Sequence, residues 1–206
     1  MPSLGDYKIY DTDEPCNYTG EKLVETMTNV VTEGLSKDGR ELNLMQCCVG
    51  PNGINIIIND ERVHNIKRLN LGGNKIGDLG AKVISRSPAF SKVNWLELGG
   101  NDLGPEGIEF IVRSETFSKV KTLNLYRNYL KDDGALVLAN ENTLKKIEEM
   151  DLAQNEIGDK GLVALSNSTK FPNLVAICID NNFGTREGRG VAKLGPNFKK
   201  LQSLNI

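Results

Sequence analysis

Residues 69 to 82 read LNLGGNKIGDLGAK, a glycine-rich stretch of the kind whose backbone N–H groups can cradle a phosphate. The lysine-plus-hydroxyl ending of a Walker loop is absent. Other chemistry-bearing residues are few. The chain has one histidine, His64, and four cysteines, Cys16, Cys47, Cys48 and Cys178, of which two are adjacent. Neither a disulfide framework nor a metal-ligand spacing is visible among them. A Ser-His-Asp or Cys-His arrangement would have to form at His64, and nothing marks a nucleophile beside it. Cys178 has no evident cationic neighbour to lower its pKa. The expectation is a protein that is not an enzyme, without metal or cofactor.

The chain of 206 residues is 39% hydrophobic and 25% charged, with a net charge of −2. That is ample for a packed core, and it supplies no bulk attraction to nucleic acid or anionic membrane. No apolar run of 18 or more residues occurs, and MPSLGDYKIYDTDEP has no stretch of signal-peptide length. Reduced thiols fit a cytoplasmic setting. The N-x-T triplets at Asn17 and Asn167 carry little weight as glycosylation sites.

The opening glycines recur. Written in rows of 27 from Gly39, the chain aligns without insertion: GRELNLMQCCVGPNGINIIINDERVHN, IKRLNLGGNKIGDLGAKVISRSPAFSK, VNWLELGGNDLGPEGIEFIVRSETFSK, VKTLNLYRNYLKDDGALVLANENTLKK, IEEMDLAQNEIGDKGLVALSNSTKFPN, LVAICIDNNFGTREGRGVAKLGPNFKK and the stub LQSLNI. Self-similarity at a fixed period outranks any local motif, so these glycines belong to the architecture. Each row places two apolar residues around one polar residue, from Leu42/Leu44 to Leu204/Ile206, the alternation of a short strand with one buried face. Three residues later stand Asn74, Asn101, Asn128, Asn155 and Asn182, with Cys47 in the first row. An amide at that fixed place can bond the backbone of neighbouring turns, so the column reads as a structural ladder. Gly53, Gly80, Gly107, Gly134, Gly161 and Gly188 follow, two residues after Pro51, Asp78, Pro105, Asp132, Asp159 and Arg186. Asp as a cap or Pro in the first turn predicts a helix there, and the glycine predicts its close approach to the strand layer. Val63, Phe90, Phe117, Leu144, Phe171 and Phe198 close the rows as apolar anchors.

These LxLxxN columns with a helix-opening glycine resemble the leucine-rich repeat family, in its ribonuclease-inhibitor-like class, over residues 39–206. The resemblance implies an α/β solenoid, a horseshoe segment with parallel strands on the concave side and helices on the convex side. It also implies a non-catalytic scaffold that binds a protein partner, or alternatively a regulator of a GTPase or of actin filament ends. Residues 1–38 are expected to form an N-terminal cap around one amphipathic helix, with Leu23, Val24, Met27, Val30, Val31 and Leu35 on its apolar face and an acidic, loosely ordered lead from Asp6 to Glu14. The sequence stops at Ile206 after a seventh strand, which reads as truncation or an abbreviated repeat. An open edge strand there invites self-association. The last full row is irregular, with Gly184 in place of an apolar residue, and its Arg186 and Arg189 could form a small basic site.

Seven strands about 4.8 Å apart make a sheet roughly 29 Å across, enough for a partner burying about 800 Å². By register, Arg68, Trp95 and Glu149 share one outward column, Glu97 and Asp151 the next, and Tyr126 and Arg127 lie just beyond. Trp, Tyr and Arg are enriched at binding hot spots. The expected partner site is therefore Trp95, Tyr126, Arg127 and Arg68, beside open floor at the Gly72/Gly73 and Gly99/Gly100 pairs, with Glu97, Glu149 and Asp151 as an acidic flank that steers a basic partner.

Overall fold

A computed structural model describes residues 14–206; the acidic lead before Glu14 lies outside the described residues. The elements run α1 (Gly20–Gly34), β1 (Glu41–Asn43), α2 (Gly50–Ile57), β2 (Arg68–Asn70), α3 (Gly77–Arg86), β3 (Trp95–Glu97), α4 (Pro105–Val112), β4 (Thr122–Asn124), α5 (Lys131–Glu141), β5 (Glu149–Asp151), α6 (Asp159–Asn167), β6 (Ala176–Cys178), α7 (Arg186–Ala192), α8 (Pro196–Lys199) and β7 (Ser203–Asn205). The seven strands form one parallel sheet in sequence order. Leu42 pairs with Leu69, Leu69 with Leu96, and the register continues to Leu204, each step one row. The architecture is an α/β leucine-rich repeat solenoid.

A three-residue strand cannot stand alone; stacking of neighbours makes it stable. Leu69, Leu71, Leu96, Leu98, Leu123 and Leu125 are fully buried, and so are Phe90 and Phe117 of the anchor column. Each such side chain contributes about 1.5–3 kcal/mol on leaving water. The cap helix buries Leu23, Met27 and Val31, one residue per turn, while Val30 and Leu35 are partly buried against the same core. Val24 departs from the expected face and is 49% exposed. It follows Leu23 by one residue, about 100° round the helix, too far from the i, i+4, i+8 stripe to share its burial.

The asparagine column is buried from Asn74 to Asn155 and half-buried at Asn182, and its hydrogen bonds pass from row to row. Asn128 Oδ1 accepts from the N–H groups of Asn101 and Leu103, each over 3.0 Å. Its Nδ2 donates to Leu98 O over 3.0 Å and to Leu125 O over 2.9 Å. Asn74, Asn101, Asn155 and Asn182 likewise donate to the carbonyl just past the strand of the preceding row, at Leu44, Leu71, Leu125 and Leu152. Asn155 is the exception as an acceptor: its buried Oδ1 has no partner among the described residues.

Two expectations about the helix starts need correction. The aspartates do not cap their own helices. Asp78 Oδ1 accepts from Gly104 N over 2.7 Å, Asp132 Oδ1 from Gly158 N over 2.8 Å and Gly161 N over 2.9 Å, and Asp159 Oδ1 from Thr185 N over 2.7 Å. Each lies in the first turn of its own helix and reaches forward to the start of the next, because adjacent rows place those two points side by side. Gly107, Gly161 and Gly188 serve this reach: a Cβ there would collide with the carboxylate of Asp78, Asp132 or Asp159. The close approach at these three is between successive rows, whereas a Cβ at Gly80 or Gly134 would meet Ile76 or Leu130 of its own row. Helices α3 and α5, whose preceding rows carry Pro51 and Pro105, start differently. Gly77 (φ 58°) and Lys131 (φ 56°) adopt the left-handed region, and their N–H groups donate to Asn101 O and Asn155 O over 2.9 Å.

Candidate functional site

The sheet face opposite the core is built by the middle residue of each LxL pair and by the residue before that pair. One column has a task that its outward direction conceals. Asn43, Asn70, Glu97, Asn124 and Asp151 each accept from the backbone N–H two residues on, at Met45, Gly72, Gly99, Tyr126 and Ala153, over 2.6–3.2 Å. These bonds turn the chain out of each strand. Glu97 and Asp151 are thus partly committed to their own backbone. Burial, followed by repulsion from Asp151, raises the Glu97 pKa, against the lowering effect of Gly99 N–H and Asn124.

Trp95 is half-exposed at the centre of the neighbouring column. The guanidinium of Arg68 lies over its ring, 4.2 Å from the centroid, and Arg68 Nε is 3.6 Å from Glu41 Oε1. The indole is therefore held by a cation that is itself held by a carboxylate. Beside it runs an open cleft of about 290 Å³ lined by Trp95, Thr122, Glu149, Asp151, Ala176 and Cys178. Thr122 Oγ1 donates to Glu149 Oε2 over 3.5 Å. Small residues at Ala176 and Cys178 leave this end of the sheet lower than the indole.

The expected residues do not line one cleft. Trp95, Glu149 and Asp151 line the cleft, with Arg68 stacked on the far side of the indole. Arg127 lines a second groove of about 260 Å³ past the strand ends, with Tyr129, Gln154, Glu156, Asn181 and Phe183. Tyr126 is 39% exposed, and Tyr126 and Glu97 line neither cleft nor groove. The expected open floor at Gly99 is also filled, since a Cβ there would meet the Glu97 carboxylate and the Tyr126 backbone.

Tyr129 and Phe183, 52% and 70% exposed, were not anticipated. Both follow a ladder asparagine directly, in a column that otherwise reads Cys48, Lys75, Asp102 and Glu156. Two aromatics in a polar column were the available signal. His64 lies in the 3-10 turn Glu61–Asn65 and lines a different groove, with Val83 and Pro88. The sheet face thus offers an indole, carboxylates, a hydroxyl and small residues on an open surface, which is a chemistry of recognition.

Among the described residues no helix is long and apolar enough to cross a membrane. No curated protein matches the chain. In structure it is similar to an internalin from Listeria monocytogenes, at 22% identity over 71% of this chain and 36% of that one, with a TM-score of 0.48. The chain thus spans little more than a third of that protein, and the likeness is too remote to carry a functional argument. A family model described as Leucine Rich repeat matches residues 64–85, 93–112 and 143–166. Those matches fall on rows whose strands, ladder asparagines and helices repeat in register, and the chain is a leucine-rich repeat protein.

Proposed function

We propose that this chain is a non-catalytic scaffold that binds a protein partner across the sheet face, with Trp95 as the central anchor. The observation that carries the reading is the half-exposed indole, fixed from one side by Arg68 and bordered on the other by the cleft over Thr122, Glu149 and Asp151. A rigid aromatic held in place before binding loses little conformational freedom on contact, which favours it as a hot spot. Glu149 and Asp151 give the cleft a negative rim suited to a basic segment of the partner. Arg127 and Tyr126 extend the surface toward the strand ends, and Glu97 contributes mainly to its shape. We place the rows in the ribonuclease-inhibitor-like class, with the sheet on the concave side and the protein in a reducing, cytoplasmic setting.

Affinity capture from the source cell with wild-type and Trp95→Ala baits tests the proposal. The variant should fold, with stability within about 1.5 kcal/mol of wild type, and lose at least about tenfold in affinity for the captured partner. Equal recovery of that partner by both baits would remove the site. A GTPase-regulating role would rest on Arg127, which is exposed and has no ion pair among the described residues; Arg68 is already engaged by Trp95 and Glu41. Turnover by candidate GTPases, compared for wild type and Arg127→Ala, decides that second reading.

A further inference from the structure

The 3-10 turn Pro15–Asn17 packs against α2 and brings Cys16 beside Cys48, in the loop between β1 and α2. One carboxylate oxygen, Glu14 Oε2, gathers three donors: Cys16 Sγ over 3.5 Å, Cys48 Sγ over 3.7 Å and Lys75 Nζ over 2.7 Å. The two sulfurs and a Glu14 carboxylate oxygen all lie within 4.8 Å of one another. Both thiols are free and half-buried. Cys47, next in the chain, donates to Met45 O over 3.6 Å, and Cys178 stands on the sheet face. The pairing was invisible in the sequence because the turn and the loop meet only once the cap segment is folded onto the first row.

Two such thiols suit either a soft metal ion or a disulfide, and the ammonium decides between them. Lys75 already neutralises Glu14, so a metal ion would have to displace it, whereas the same ammonium stabilises a thiolate formed beside it. We propose that Cys16 and Cys48 form a redox-responsive pair that closes to an intramolecular disulfide on reaction with a low-molecular-weight disulfide, fastening the Pro15–Asn17 turn to the first row.

Burial, followed by the neighbouring Cys48 and Glu14, pushes the Cys16 thiol up to about 12, which makes Cys48 the first nucleophile. Its thiolate attacks one sulfur of oxidised glutathione, forming a mixed disulfide and expelling one glutathione thiolate. The Cys16 sulfur then gives up its proton, attacks the Cys48 sulfur and expels the second glutathione thiolate. Two protein thiols and one glutathione disulfide become one protein disulfide and two glutathione thiols, which carry the two protons that the cysteines lost.

The test uses the full-length reduced protein, exposed to oxidised glutathione, alkylated at intervals and mapped by peptide mass. The expected first product is a Cys16–Cys48 crosslink, formed at least about tenfold faster than glutathione adds to Cys178. In Cys16→Ser the mixed disulfide at Cys48 persists, and Lys75→Ala slows the first step about threefold or more. A crosslink to Cys47 as first product, a wild-type reaction that stops at the mixed disulfide, or equal reactivity of all four thiols overturns the proposal. So does protection of Cys16 and Cys48 by zinc(II) that Glu14→Gln abolishes, because the cluster would then be a metal site.

Discussion

Asn128 and Glu97 stand in neighbouring rows, and each offers a side-chain oxygen to backbone N–H groups. Asn128 is 2% exposed and its amide bonds to five residues in its own row and the row before it. Glu97 is half-buried and bonds the N–H of Gly99, two residues on. The first residue couples rows; the second shapes one turn and leaves part of its carboxylate in solvent. The strand exits are thus a region in which nearly every polar atom is assigned, while the sheet face keeps groups in reserve for a partner. Occupancy of polar atoms separates architecture from recognition here better than polarity does, since both regions are rich in Asn, Asp and Glu.

Asn128→Ala challenges that contrast most severely. It leaves the N–H groups of Asn101 and Leu103 and the carbonyl of Leu98 without their amide partner in the core, while Leu125 O keeps Asn155 Nδ2, and should remove about 3 kcal/mol of stability, read from the urea midpoint. Asn155→Ala should cost less, because Asn155 Oδ1 accepts nothing among the described residues. Equal losses would mean that the accepted bonds do not matter. Asp132→Ala should come next, at about 1–2 kcal/mol, through the loss of its bonds to Gly158 and Gly161; Asp133→Ala, at an exposed neighbour, serves as the control. Lys131→Gly should run the other way. Relieving the left-handed φ at that position gains about 0.5–1 kcal/mol while its N–H still reaches Asn155 O. A lower melting temperature for that variant would show that the lysine side chain contributes more than the backbone strain costs.

Glu97→Gln gives the smallest effect and the one with a pH signature. A carboxylate whose folded pKa is raised above its unfolded value favours folding when protonated. Its contribution is fully present below the unfolded pKa and is lost as pH rises through the folded pKa. Glutamine keeps the acceptor for Gly99 N–H without the charge. Above that window the variant should be more stable by up to about 0.5 kcal/mol, allowing for solvent screening, and the gain should vanish on acidification. A gain that is constant with pH would assign the effect to packing.

The solenoid was legible in the sequence because its information is one-dimensional: the 27-residue period carries strand, ladder, helix and anchor together. What escaped depends on which atoms of adjacent rows meet. The forward reach of Asp78, Asp132 and Asp159 is invisible without the spacing between helices. Glu97 and Asp151 looked free because an outward direction was equated with an unused group. The site residues divided for a similar reason. Trp95 and Arg127 are close in the array of columns, but the chain turns out of the sheet at Asn124 and Tyr126, so the guanidinium falls in another groove. Tyr129 and Phe183 were missed because the outward columns were followed toward a partner only as far as the ladder asparagine.

The forward direction of the aspartate bonds gives the solenoid a polarity of fraying. A row stripped of its successor merely exposes a carboxylate to water, whereas a row stripped of its predecessor, as α4, α6 or α7 would be, loses the acceptor at its helix start. Unravelling should therefore be easier when it advances toward the cap than when it starts there, and a latch at the cap would strengthen the end on which the other rows depend.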